Sequence, residues 1–154
     1  MDLQFLKELV LIDSPSGFTQ RAAEYVFKAL TDMGWSPRYT NKGAVVCALG
    51  ETPTLGIAAH LDTLGGIVSQ IKSDGTLRIS KVGGPLLNAY EGSYCRVYTM
   101  DDQVYTGTLL LDNTSVHVNR EAAKANRTET NMHIRLDELV DDVESIKALG
   151  IQVG

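Results

Sequence analysis

Apolar positions recur at helical spacing in two stretches near the N-terminus. Leu3, Leu6, Leu9 and Val10 predict a helix over residues 2–12, which Asp13-Ser14-Pro15-Ser16-Gly17 ends with turn chemistry. Ala22, Ala23, Val26, Phe27, Leu30 and Met33 then form one stripe, with Thr19 placed to cap its start and Gly34 to close it in the left-handed region. After Gly34 the period changes. Residues 35–40 and 44–49 read as strands joined by Asn41-Lys42-Gly43, a hairpin signal. Residues 54–59 include Leu55-Gly56-Ile57-Ala58-Ala59, apolar without alternation, which predicts a central strand covered on both faces and ending at His60. Two helices followed by such strands predict the start of an α/β domain.

Beyond Gly65-Gly66 the texture is different. Strand-like runs at 67–71, 76–82, 93–100 and 104–111 are separated by Ser73-Asp74-Gly75, Gly83-Gly84-Pro85 and Asp101-Asp102. Short strands spaced by turn residues predict a small β-barrel or sandwich. A short helical turn over 121–126, a strand over 132–136 and a last helix complete the pattern. That helix has Asp141 as N-cap and Glu144 at N3, and it stops at Gly150. The expected division is therefore 1–66 and 67–154.

Composition adds exclusions. At 44% hydrophobic and 21% charged, the 154 residues are ordinary globular material. A net charge of −5 gives no basic face for nucleic acid. No apolar run approaches the roughly 18 residues of a membrane span. The start, Met1-Asp2-Leu3-Gln4, lacks the basic and apolar regions of a signal peptide, so a cytoplasmic protein is expected. Cys47 and Cys95 sit inside strand-like runs with no Cys-x-x-Cys spacing, and read as reduced, packed thiols.

Candidate chemistry centres on His60 and Asp62. A histidine at the C-terminal end of a central strand stands where α/β sheets gather ligands and metals. An aspartate two positions on can accept its second ring N–H and fix the tautomer. The same pattern also suits a strand-end histidine satisfied by hydrogen bonds, and the spacing alone leaves both readings open. His117 and His133 fall at polar positions of alternating runs and read as surface or interface residues. No nucleophile elbow, phosphate loop or HExxH is present.

The ordered set Ser14-Pro15-Ser16-Gly17, the helix to Gly34, the Gly43 strand and Ala58-Ala59-His60-Leu61-Asp62-Thr63-Leu64-Gly65 resembles the N-terminal part of the tetrahedral (glutamyl) aminopeptidases, dinuclear metallo-exopeptidases sometimes labelled endoglucanases. Asp74-Gly75-x-Leu77-Arg78 and Val82-Gly83-Gly84 extend the resemblance. It implies an α/β catalytic domain over 1–66 and a small β-barrel lid over 67–154, incomplete at its C-terminal end. It implies His60 as the first metal ligand and Asp62 as the catalytic aspartate that orients it. It further implies two divalent metal ions, zinc ahead of cobalt, peptides as substrates and homo-oligomeric assembly. The family's bridging aspartate, general-base glutamate, further acidic ligand and late histidine find no match before Gly154. The expectation is therefore a chain without aminopeptidase activity or tight metal binding of its own. A non-catalytic interaction or assembly module built on the lid is the alternative.

Overall fold

The computed structural model describes residues 3–154. The chain forms two compact units, one ending at Gly65 and one running from Gly66 to Gly154.

In the first unit, α1 (Leu3–Val10) and α2 (Gln20–Asp32) follow the expected apolar spacing; Asp2, at the start of the expected first helix, lies outside the described residues. Ring stacking joins the unit's elements, Phe5 on Tyr25 with centroids 5.3 Å apart and Phe27 on Tyr39 at 4.6 Å. Thr19 stands at the N-cap of α2, but its hydroxyl makes no cap hydrogen bond; its carbonyl accepts from Ala23 N–H. The C-terminus closes as a Schellman motif. Gly34, at φ +86°, donates to Thr31 O, and Trp35 donates to Leu30 O. The predicted hairpin forms around Asn41-Lys42-Gly43, but its strands are short: β1 (Arg38–Tyr39) pairs antiparallel with β2 (Val45–Val46).

The expected central strand over 54–59 does not form. Among the described residues no strand pairs with it, and Leu55 is 79% and Ile57 92% exposed. An unalternating apolar run becomes a buried strand only when neighbours satisfy its backbone and cover both faces. Here the first pairing comes later, in an isolated parallel bridge between Pro15 and Thr63.

The second unit is one curled five-stranded sheet. Its strands are β3 (Gly65–Ile71), β4 (Leu77–Val82), β5 (Tyr94–Tyr98), β6 (Val104–Leu111) and β7 (Met132–Leu136), in the spatial order β3-β4-β7-β6-β5. No ladder joins β3 to β5, so the sheet is open and does not close into the barrel that was one of the two forms expected from the sequence pattern, a small barrel or a sandwich. Antiparallel pairing sets Leu109 opposite Ile134 and Val97 opposite Tyr105. Leu77, Val97, Leu109, Leu111, Met132, Ile134 and Leu136 form the core, closed by Leu87, Ala122, Ile146 and Ile151 from outside the sheet. Leu87 belongs to α3 (Leu87–Tyr90), a single helical turn that the pattern does not predict because it offers too few residues for periodicity.

The final helix, α4 (Val143–Ala148), starts one residue later than expected. Asp142, not Asp141, is the N-cap, and its carboxylate accepts from Ser145 N–H at 2.7 Å. Ser145 rather than Glu144 completes the capping box.

Candidate functional site

The Ser14-Pro15-Ser16 segment lies alongside residues 61–63 in parallel register. Ser14 is almost fully buried. Its hydroxyl donates to Leu61 O at 2.8 Å, and its carbonyl accepts from Thr63 N–H at 2.8 Å. Two hydrogen bonds therefore bracket Asp62. The Ser16 hydroxyl donates to Asp62 Oδ2 at 2.5 Å. Pro15 fits between them because Gly65 lacks a side chain: a Cβ there would stand 2.6 Å from Pro15 Cβ. The turn residues after α1 thus reach 46 positions along the chain to hold the His-Leu-Asp stretch.

His60 and Asp62 come together as their spacing suggests, with a refinement. The ring Nδ1 lies 2.9 Å from the backbone carbonyl of Asp62 and 3.3 Å from its carboxylate Oδ1. Both neighbours are acceptors only, so Nδ1 carries the proton in the neutral ring and Nε2 carries the lone pair. The His60 side chain is 85% exposed, so Nε2 is open to a ligand. The hydrogen bond from Ser16, foremost, then the Asp62 amide and the nearby imidazole, hold the Asp62 carboxyl below its ordinary range. It is an anion at neutral pH.

This chemistry fits one ligand of a divalent metal: a neutral imidazole with a fixed tautomer and a carboxylate behind it. It does not fit a whole centre. A zinc site that hydrolyses needs about three protein ligands, and among the described residues no group of three or more His, Cys, Asp or Glu comes together.

The other two histidines are elsewhere. His117 is exposed, as expected, but lies in a turn rather than a strand. His133 is on β7 as expected, at a partly buried position where its Nδ1 is 2.6 Å from Asp112 Oδ1. Arg78 donates to Asp112 Oδ2 at 2.7 Å and to Met132 O at 3.1 Å, and Lys72 lies 3.6 Å from Asp112. Partial burial alone would raise the Asp112 carboxyl; the hydrogen bonds from Arg78 and His133 and the charges of Lys72 and Arg78 bring it below its ordinary range. This network ties β4 and β7 to the residue that follows β6, and sequence spacing gives no sign of it. Burial pushes the Cys95 thiol up to about 11, which suits the packed, unreactive role expected of it.

The profile of the M42 glutamyl aminopeptidases matches residues 43–154. The chain belongs to this family. The Bacillus subtilis (strain 168) protein YhfE, itself named only as a candidate aminopeptidase, is 41% identical over 99% of this chain and 45% of its own length. The solved aminopeptidase APDkam598 from the archaeon Desulfurococcus kamchatkensis superposes with a TM-score of 0.83 at 26% identity, covering 98% of this chain and 41% of that one. The Pyrococcus horikoshii TET1 peptidase, described as able to assemble into a tetrahedron or a large octahedral shell, shares the fold with a TM-score of 0.79 at 22% identity, over 98% of this chain and 44% of that one. The chain thus spans less than half the length of each of these relatives. The family is one of peptidases, and no helix among the described residues is long and apolar enough to cross a membrane.

Proposed function

We propose that this chain carries one arm of the metal centre of an M42 aminopeptidase, with His60 as a metal ligand and Asp62 as the carboxylate that sets its ring. The observation that carries this reading is the ring geometry. Nδ1 is committed to two acceptors, and Nε2 is exposed, in the His-Leu-Asp stretch of a chain of this family.

Two divalent ions, zinc foremost and cobalt as the alternative, would supply Lewis acidity and an activated water for hydrolysis of the N-terminal peptide bond. This chain's own part is narrower. His60 offers one imidazole lone pair, Asp62 holds its orientation, and Ser14 and Thr63 fix the backbone between them. The remaining ligands and the general base are not gathered among the described residues. The 154-residue polypeptide alone is therefore expected to bind zinc only weakly and to release no N-terminal residues.

In this reading residues 1–66 belong to the catalytic domain and residues 67–154 to a lid. Peptides are the substrates. Self-association is expected, supported by the exposed Leu55 and Ile57 and by the shells that TET1 peptidase assembles.

The test uses a graft in which these residues replace the matching part of YhfE. With zinc present the graft should cleave an aminoacyl-chromophore. Asp62→Asn should cost roughly 10- to 100-fold in kcat/KM, the range for a partner of a metal-binding histidine, and His60→Ala at least about 100-fold. A His60→Ala graft within a few-fold of its parent would overturn the assignment, and turnover by the 154 residues alone would overturn the one-arm reading.

A further inference from the structure

We propose that Ser14 and Ser16 act together as a two-hydroxyl clamp that holds the His60 ring in its Nδ1–H tautomer and so presents Nε2 outward. The inference rests on the reading of His60 as a ligand and assigns the segment that makes it one.

The need for such a device follows from imidazole chemistry. A free neutral histidine in water prefers the Nε2–H tautomer, whose lone pair is on Nδ1. At His60 that lone pair would face the carbonyl and carboxylate of Asp62, acceptor against acceptor, while the exposed nitrogen would carry a proton. The ring is useful to an outside electrophile only when Asp62 stays where it is, and little else restrains Asp62. The ring is exposed, the apolar run before it is exposed, and no ladder holds the chain at residues 54–62.

Three hydrogen bonds supply that restraint, all from one short segment. Ser14 Oγ to Leu61 O and Thr63 N–H to Ser14 O fix the peptides on either side of Asp62, which places the Asp62 carbonyl 2.9 Å from Nδ1. Ser16 Oγ holds Oδ2, which turns Oδ1 toward the ring at 3.3 Å. Pro15, between the two serines, has its φ preset and brings no competing N–H. Both hydroxyls donate to acceptors on residues 61 and 62. They are positioning residues, acting on the ring through Asp62.

The test is long-range 1H–15N NMR of the histidine rings in the intact 154-residue chain. It is run at alkaline pH, raised until the ring shifts no longer change with pH. His60→Gln assigns the His60 signals. The wild-type ring should be predominantly Nδ1–H. Ser16→Ala should move the tautomer ratio toward Nε2–H by up to roughly fivefold, the worth of about one hydrogen bond, and Ser16→Thr, which keeps the hydroxyl, should restore it. A wild-type ring that is mainly Nε2–H overturns the clamp, and so does an unchanged ratio in folded Ser16→Ala. If Ser16→Ala does not fold, the wild-type tautomer and Ser16→Thr still decide. Adding Zn²⁺ alone separates the two claims. A ring held as Nδ1–H that does not respond to zinc keeps the clamp and removes the ligand assignment; a ring that binds zinc from a mixed tautomer population does the reverse.

Discussion

The second unit encloses Leu77, Met132 and Ile146 completely and packs eight further apolar side chains around them. Among the described residues of the first unit the buried apolar side chains are Ala22 and Ala23, and the other buried side chain is polar, Ser14. Leu55 and Ile57, which read as core in the sequence, stand in the open. The order of the first unit around His60 is therefore kept by hydrogen bonds from Ser14 and Ser16, whereas the second unit is kept by an apolar core with a charged network around Asp112. The proposed metal ligand lies in the unit with less hydrophobic support.

The largest expected contrast is in truncation of apolar side chains. Leu77→Ala should cost about 2–5 kcal/mol by urea unfolding, because it leaves a cavity in a closed core. Ile57→Ser should stay within about 0.5 kcal/mol, as for an exposed position. A large loss from Ile57→Ser would mean that residues 54–59 are buried in solution and would dissolve the comparison. Next comes the clamp. Ser14→Ala leaves the carbonyl of Leu61 without its partner and should destabilise the first unit by about 1–3 kcal/mol. In hydrogen exchange this should appear as faster exchange at Thr63 with β6 and β7 unchanged. Smaller still is the loss of stability from Asp142→Ala, which removes the α4 cap and should be confined to the second unit.

The weakest effect is acid dependence. The carboxyl of Asp74, hydrogen-bonded first by Thr76 and then aided by Lys72, titrates at about 2 against an ordinary 3.8. A depressed carboxyl contributes stability that is present above pH 3.8 and lost as pH falls through about 2. Asp112, also held low, acts in the same direction. The second unit should thus weaken between pH 4 and 2. Asp74→Asn should flatten that slope by well under about 1 kcal/mol, since its side chain is half exposed and water screens the pairing. A slope unchanged by Asp74→Asn would remove this assignment.

Much of this was legible along the chain. Helices α1, α2 and α4, the Gly34 stop, the strands of the second unit and the adjacency of His60 and Asp62 all follow from spacing that acts within a few residues. The single turn α3 was not legible, and neither were three larger features. The strand expected at 54–59 needs neighbours, and an apolar run does not say whether they are there. Barrel closure depends on whether β3 meets β5, a pairing between strands far apart in sequence that alternation leaves unspecified. The partnership of Ser16 with Asp62, like that of Arg78 and His133 with Asp112, joins residues tens of positions apart. Ser14-Pro15-Ser16-Gly17 reads locally as a helix stop, and its hydrogen bonds to residues 61–63 and the parallel bridge from Pro15 to Thr63 bring it to the candidate site.

The central claim, that His60 is a metal ligand, is tested most directly by counting metal. The graft into YhfE, loaded with zinc and dialysed, should hold two ions per chain, and His60→Ala should release at least one of them. Equal zinc content in the two proteins would contradict the account.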